Sequence, residues 1–204
     1  MTSATCNFDN ADASPSELDD AHRLSEFMLA APSATAALQA WCTERNLGAA
    51  PISARVLDRR LLEVPSPELL DAIDGVHTGR IAARKVALCC GKLVLSIAKI
   101  WYVPDRLPES IARQLLRSTI PFGYAIAPLC PQRRTILVRI YADVDAPEME
   151  PHTIVEHHAV VSAGDGTVLA VVQERYQQTL LGCEHAMTLR RDCRPPLSRT
   201  SEMD

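Results

Sequence analysis

Arg84 and Glu174 are the two side chains whose positions in the sequence predict chemistry. Arg84 lies in a predicted strand over residues 81–90 and Glu174 in one over residues 167–176, and each shares its alternating face with apolar residues. A charge directed toward a core is costly unless it pairs with an opposite charge or binds a ligand. The pattern therefore predicts a buried salt bridge or an anion site with an acid or base beside it, with simple exposure at a strand end as a third alternative.

Glu156, His157 and His158 form a run of residue types that bind metals. Adjacent residues on a strand point to opposite faces, so only Glu156 and His158 share one, and the spacing offers no third ligand. The sequence also lacks a G-x-S-x-G elbow, and Gly164-Asp165-Gly166 matches a hairpin turn rather than a phosphate-binding loop. We therefore predict no metal and no cofactor, and the role of the run stays open.

The cysteine pattern favours reduced, structural thiols. The chain has an odd number of cysteines, no C-x-x-C pair, and enough residues to form a core without disulfides. Cys89 and Cys90 are adjacent on a predicted strand and so point to opposite faces. The seven are Cys6, Cys42, Cys89, Cys90, Cys130, Cys183 and Cys193.

Periodicity predicts an α+β fold with a largely antiparallel sheet of six strands, N-terminal helices and an inserted helix. Residues 17–46 have helical spacing interrupted near Pro32, which predicts two short helices. A further helix begins at Pro108-Glu109-Ser110 and ends before a turn at Pro121-Phe122-Gly123. Hairpins are predicted around residues 91–92 and 163–166. The predicted strands cover residues 52–57, 81–90, 93–103, 135–141, 154–162 and 167–176.

Composition and charge limit the function classes. The chain has 204 residues, 47% of them apolar, and a formal net charge of −4, which gives no electrostatic reason to expect a nucleic-acid partner. No apolar run reaches the roughly 20 residues that span a bilayer, and the N-terminus is acidic, so no membrane segment or signal peptide is predicted. We expect one domain over residues 17–187 in a cytoplasmic protein, with disordered tails at 1–16 and 188–204.

Two sequence blocks resemble the chorismate pyruvate-lyase family, particularly its mycobacterial-type branch. The first, residues 84–123, has the sequence RKVALCCGKLVLSIAKIWYVPDRLPESIARQLLRSTIPFG. The second, residues 160–181, has the sequence VVSAGDGTVLAVVQERYQQTLL and is similar to the family's final hairpin, in which a glutamate precedes an aromatic residue. The order and spacing of the motifs agree over about residues 50–182.

The resemblance implies a cofactor-free enzyme that converts chorismate to 4-hydroxybenzoate and pyruvate. It implies that Arg84 binds a substrate carboxylate and that Glu174 is the active-site glutamate near the ring hydroxyl. It also implies that Phe122 and Gly123 form a turn that donates backbone N–H groups to the ligand. The expected partner is a small molecule, and the oligomeric state stays open.

Two departures from the family leave alternatives open. Relatives often carry arginines where this chain has Glu156, His157 and His158, and they usually have leucine in place of Phe122. The sequence is therefore also compatible with a lyase of a natural-product pathway acting on a related cyclohexadiene acid. A non-catalytic domain of the same fold that binds an aromatic acid is the alternative from another class. Arg84 and Glu174 could also pair only with each other.

Overall fold

The computed structural model describes residues 15–31, 33–59, 65–73, 81–141 and 152–182, and its centre is one antiparallel sheet. Six strands pair in the order β1-β2-β3-β6-β5-β4. The hairpins β2–β3 and β5–β6 therefore lie side by side in the middle, with β1 and β4 at the edges. The strands are β1 (Ile52–Asp58), β2 (Ala82–Cys90), β3 (Leu93–Tyr102), β4 (Gln132–Ile140), β5 (Thr153–Ser162) and β6 (Val168–Gln177).

Both hairpin turns use glycine where the backbone adopts a positive φ. Gly91 has φ +59° between β2 and β3, and Gly166 has φ +89° between β5 and β6. In the second turn the Ala163 N–H donates to the Thr167 carbonyl at 2.8 Å, and the Asp165 carboxylate accepts from the Thr167 N–H at 2.9 Å. These turns confirm the two predicted hairpins, and with them the antiparallel pairing.

Helices cover one face of the sheet and form the larger core with it. Four of the described helices lie on this face, α1 (Pro15–Ala30), α2 (Ala34–Glu44), α4 (Glu109–Arg117) and α5 (Phe122–Ala125), whereas α3 (Pro67–Ala72) lies on the opposite one. Leu24 and Met28 of α1 and Leu38 of α2 are fully buried in this core. The Trp41 indole N–H of α2 donates to the Leu180 carbonyl at 2.9 Å, which fixes the helix to the chain beyond β6.

A smaller core covers part of the opposite face. Leu69 and Ile73, in and just after α3, are buried there with Trp101, Val160 and Val171 of the sheet. The sheet is therefore apolar on both faces near this end. No helix in the described ranges is both long enough and apolar enough to cross a bilayer.

The α+β architecture predicted from the sequence is confirmed, and five predicted strands agree with the structure to within one residue at each end. The fourth strand was predicted too short, because it begins at Gln132 rather than at Thr135. Residues 132–134 are polar and lie on an edge strand, so they lack the apolar alternation that marks a half-buried strand.

Three helical details also correct the sequence interpretation. The segment after Pro121 is the short helix α5 rather than a turn, and α3 was not predicted, because four to six residues are too few to show helical periodicity. Helix α1 begins at Pro15, inside the predicted tail, where proline is tolerated in a first turn. The rest of the predicted tails 1–16 and 188–204 lies outside the described residues.

The packing of α1 predicts different costs for two leucines of that helix. Leu24→Ala removes a fully buried side chain and should lower the free energy of unfolding by about 2–5 kcal/mol. Leu29→Ala removes a side chain that is 43% exposed, so we expect a change of about 0.5 kcal/mol or less. Urea denaturation of both variants measures the difference, and equal costs would contradict the packing of α1 on the sheet.

Candidate ligand-binding cavity

A cavity lies between the helix-covered face of the sheet and a wall formed by the start of α2 and by α5. Its floor is aliphatic, and its polar groups are few: two hydroxyls on the wall and one arginine and one glutamate from the sheet. Its volume is about 50 Å³. The lining residues are Ser33, Ala34, Thr35, Val86, Leu88, Ala98, Ile100, Phe122, Gly123, Ile126, Pro131, Arg133, Val161, Val172 and Glu174.

Gly123 lets α5 approach the start of α2 closely. A Cβ atom at this position would lie 3.0 Å from the Thr35 hydroxyl oxygen and 3.1 Å from the Ser33 hydroxyl oxygen. Ser33 is also the N-cap of α2, where its Oγ accepts from the Ala36 N–H at 3.4 Å. The wall of the cavity is thus a tight contact between two helix starts, and a side chain at position 123 would have to displace these hydroxyls by a few tenths of an ångström.

The polar end of the cavity is a buried ion pair between Arg133 of β4 and Glu174 of β6. Arg133 Nη2 lies 2.6 Å from Glu174 Oε2, and the two side chains are only 5% and 9% exposed. The same oxygen accepts from the Tyr176 hydroxyl at 3.2 Å. Arg133 Nη1 donates to the Thr135 hydroxyl at 2.7 Å, while its buried Nε has no partner among the described groups.

His157 connects this ion pair to α1. Its Nδ1 lies 3.5 Å from Arg133 Nη2 and its Nε2 lies 2.9 Å from the Ser25 hydroxyl. Arginine has only donors, so Nδ1 accepts and Nε2 carries the proton that it donates to Ser25. The ring also contacts the edge of Tyr176 at a centroid distance of 5.1 Å. One imidazole therefore fixes both the guanidinium and the helix above it.

Burial determines the protonation of this cluster. Burial, followed by the charge of Arg133, lowers the pKa of His157 to about 4, so the imidazole is neutral at pH 7. Burial and the neighbouring Glu174 carboxylate raise the pKa of Tyr176 well above its ordinary value. Burial opposes the charge of Arg133, but the attraction of Glu174 and Tyr176 together with the hydrogen bond to Glu174 outweighs it and raises the pKa of Arg133. At neutral pH the imidazole of His157 and the phenol of Tyr176 are therefore both uncharged.

Arg84 is buried beside the cavity without an acidic partner in the described part of the chain. It is 2% exposed and pairs across the β2–β3 ladder with Ile100, which lines the cavity. Its guanidinium donates to the Leu115 carbonyl at 3.4 Å and to the Ile120 carbonyl at 3.3 Å, and its Nε has no partner within the described ranges. Burial lowers the pKa of Arg84; the neighbouring phenol of Tyr102 opposes this shift, and the charge of Arg59 adds to it.

The structure brings together three of the four residues that the sequence identified. Glu174, Phe122 and Gly123 line one cavity, whereas Arg84 is not among the lining residues and lies beside one of them, its cross-strand neighbour Ile100. The alternative in which Arg84 and Glu174 pair only with each other is wrong, because Glu174 pairs with Arg133.

The sequence analysis missed Arg133 as a site residue. It precedes the predicted fourth strand, and its partner lies 41 residues further along the chain. Pro131 and the polar residues after it resemble a loop in sequence, so no local pattern marks Arg133. Its function in the cavity depends on the pairing of β4 with β5, which brings the strand edge toward β6.

The other two residues of the histidine run face away from the cavity, as the alternation predicted. On the far face Glu156 Oε1 accepts from His158 Nε2 at 2.6 Å, and Glu156 Oε2 accepts from Arg175 Nε at 2.9 Å. Further donors are Gln173, Tyr141 and Arg139. Although burial opposes ionisation, these bonds hold the pKa of Glu156 at about 2. Among the described residues no three His, Cys, Asp or Glu side chains are grouped to hold a metal ion.

The described cysteines are free thiols. Cys42, Cys89 and Cys90 are buried and Cys130 is exposed. Burial, and next the neighbouring thiol of Cys90, raise the pKa of Cys42 to about 12, which leaves it an unreactive thiol at neutral pH. The remaining three cysteines of the sequence lie outside the described residues.

Comparison with known proteins gives one sequence relative and several distant structural ones. No protein-family model matches the chain. The chain is 29% identical over 172 residues to the uncharacterized protein y4mC of Sinorhizobium fredii, covering 76% of this chain and 72% of the relative.

Three solved structures illustrate the distant likeness. A possible transcriptional regulator of Bacillus subtilis, YydK, is 12% identical, with a TM-score of 0.42. The match covers 63% of this chain and 58% of YydK, less than two thirds of that protein. PhnF of Mycobacterium smegmatis is 14% identical, with a TM-score of 0.49 and coverage of 72% of this chain and 64% of PhnF. The effector-binding domain of the trehalose repressor of B. subtilis is 12% identical, with a TM-score of 0.36 and coverage of 74% of this chain and 99% of that domain. Likenesses at this level identify no function.

The neutral state of His157 predicts a pH dependence of stability. An unfolded histidine has a pKa of about 6.5 and the folded one about 4, so between these values the unfolded chain binds more protons. The free energy of unfolding should therefore rise with pH across this window, by about 3 kcal/mol from this side chain alone.

Urea denaturation at several pH values measures this contribution. We expect His157→Gln to flatten the rise between about pH 4 and 6.5, because the titrating group is gone. His22→Gln, at an exposed position of α1, is the matched control and should keep the wild-type slope. A slope that is the same in His157→Gln and in the wild type would contradict a neutral buried imidazole.

Proposed function

We propose that the cavity binds a small cyclic carboxylic acid and that the chain is a chorismate lyase-type enzyme acting on such an acid. The observation that carries the proposal is the buried guanidinium of Arg84, which borders an apolar cavity and contacts backbone carbonyls at long distances. A buried cation is costly without a counter-charge, and a ligand carboxylate supplies one.

The rest of the cavity suits the body of such a ligand. Aliphatic side chains from four strands, among them Val86, Leu88 and Val172, offer a flat apolar surface to a ring. The polar groups are confined to one end, where Glu174 and Arg133 can meet an oxygen substituent on the ring. A molecule with a carboxylate at one end and a hydroxyl or ether at the other matches this distribution.

Binding of a ring requires the cavity to open. Its volume of about 50 Å³ is smaller than the roughly 150 Å³ of a protein cavity that accepts benzene. The wall that can yield is the contact of α5 with the start of α2, because the opposite wall is the hydrogen-bonded sheet. We therefore propose that α5, with Phe122 and Gly123, moves away from Thr35 when a ligand enters.

The lyase reaction needs positioning and one proton transfer. Glu174 removes the proton from the ring carbon that carries the hydroxyl, and the electrons of this C–H bond form the new ring double bond. The adjacent C–O bond breaks, and the enolpyruvyl group leaves with its electrons. The proton then passes to the enolpyruvyl carbon to give pyruvate, which leaves 4-hydroxybenzoate and balances the reaction without water or a cofactor. Arg133, beside Glu174, stabilises the negative charge that develops on the leaving oxygen.

A non-catalytic binding domain is the second candidate. The observation that favours it is the engagement of Glu174, whose Oε2 already accepts from Arg133 and Tyr176. A carboxylate oxygen that already accepts two hydrogen bonds is less available to take a proton from a ligand. The substrate could equally be a related cyclohexadiene acid, although Glu156 and His158, which replace the arginines of relatives, face away from the cavity.

Incubation of the purified protein with chorismate tests the enzyme. We expect equal amounts of 4-hydroxybenzoate and pyruvate, formed faster than in a protein-free control. Glu174→Gln should reduce turnover by roughly 100-fold or more, because the group that transfers the proton is lost. Glu26→Gln, at an exposed position of α1, is the control and should remain active.

The outcomes separate the candidates. Full activity in Glu174→Gln would remove that carboxylate from the mechanism. If no product forms but 4-hydroxybenzoate raises the melting temperature, the protein is a binding domain or acts on a related acid. If neither product nor a thermal shift is seen, the proposed ligand class is wrong.

The role of Arg84 can be tested separately. Arg84→Lys keeps the charge but loses the planar, two-pronged donor geometry, so we expect the affinity for 4-hydroxybenzoate to fall by about tenfold or more with folding retained. Calorimetric titration measures the affinity. Arg106→Lys, at a guanidinium that donates to the Val168 carbonyl at 2.8 Å, is the control. An unchanged dissociation constant in Arg84→Lys would exclude Arg84 from carboxylate binding.

A further inference from the structure

Arg133 is the one cation among the residues that line the described cavity, and it comes from an edge strand. Its side chain is 5% exposed, so it lies inside the protein despite its position on β4. Two side chains fix it from opposite sides: Thr135 accepts from Nη1 at 2.7 Å, and Glu174 accepts from Nη2 at 2.6 Å. An arginine held this firmly has a defined orientation toward whatever occupies the cavity.

The two groups at this end offer complementary hydrogen bonds. The guanidinium has only donors, and its Nε is without a partner among the described groups. The ionised carboxylate of Glu174 has only acceptors, and both of its described hydrogen bonds fall on Oε2. A group that accepts one hydrogen bond and donates another satisfies both, which is the capacity of a hydroxyl.

The charges of the pair cancel. A ligand carboxylate placed at this end would meet Glu174 as well as Arg133, so the attraction and the repulsion oppose each other. An apolar substituent would leave a buried donor and a buried acceptor unsatisfied, which costs binding free energy. The end of the cavity therefore discriminates among ring substituents by hydrogen bonding rather than by net charge.

We propose that Arg133 is a specificity-determining residue, which with Glu174 selects cyclic carboxylic acids that carry a hydroxyl opposite the carboxylate. The inference rests on the proposed function, because it assumes that the cavity binds a cyclic acid. It adds a residue from the edge strand β4 to the recognition of that acid. The proposal also means that the hydrogen bond from the ligand to Glu174 depends on the ion pair of Glu174 with Arg133.

Two ligands of the same shape test the selection. 4-Hydroxybenzoate carries the hydroxyl, and 4-methylbenzoate replaces it by a methyl group of similar size. We expect the wild type to bind 4-hydroxybenzoate more tightly by about tenfold or more, as measured by calorimetric titration. In Arg133→Met the preference should fall to about threefold or less, with 4-methylbenzoate bound nearly as in the wild type.

The control arginine lies on the same strand. Arg139 of β4 also contacts a buried glutamate, at 3.5 Å from Glu156, but it does so on the far face of the sheet. Arg139→Met should keep the wild-type preference for the hydroxyl, so the pair of variants separates ligand recognition from loss of a β4 ion pair. If Arg133→Met does not fold, Arg133→Lys keeps a cation beside Glu174 with fewer directed donors and should lower the preference by an intermediate factor.

The outcomes distinguish the failure of this inference from the failure of the proposed function. Wild-type binding of both acids with equal affinity would overturn the inference and leave the proposed function standing. The same holds if the folded Arg133 variants weaken both ligands equally or keep the full preference. Binding of neither acid by the wild type would overturn the proposed function, and with it this inference.

Discussion

The buried ion pair between Arg133 and Glu174 links the edge of the sheet to its centre. Arg133 lies on the outermost strand and Glu174 on β6, with β5 between them, so the pair forms only when all three strands are in register. Charges this deeply buried are tolerable only when they are paired and hydrogen bonded. His157, Tyr176 and Thr135 supply the surrounding contacts, and His157 extends the network to α1 through Ser25.

Strand β5 carries one polar cluster on each face of the sheet, around Glu156 on one face and around His157 on the other. On its far face Glu156 is surrounded by cationic and polar donors that keep it ionised. On its cavity face His157 is kept neutral by burial and by the neighbouring guanidinium. The far-face cluster gathers its donors around one carboxylate, whereas the cavity-face cluster borders open space. The run Glu156-His157-His158 thus stabilises the fold on one face of the sheet and borders the candidate site on the other.

The two buried arginines on the helix-covered face differ in what balances their charge. Arg133 has a carboxylate at 2.6 Å, whereas the described bonds of Arg84 are to the carbonyls of Leu115 and Ile120. The partial negative charge of carbonyls near the end of α4 offsets part of the charge of Arg84. The charge of Arg84 that these carbonyls do not offset makes it the stronger candidate for binding a ligand carboxylate. Arg133, whose charge is already paired, is the candidate for hydrogen bonding at the other end of the cavity.

Local patterns were enough to determine five of the six strands, the hairpin turns and the faces of Arg84, Glu174 and the histidine run, because strand alternation and turn chemistry depend on neighbouring residues alone. The tertiary structure decided what those side chains meet. Arg133 is paired with a residue 41 positions away, and Gly123 is pressed against Thr35 from another helix. Such contacts depend on strand order and helix packing, which bring together segments that no local period relates. For the same reason the sequence marked Glu174 as a buried charge but could not identify its partner.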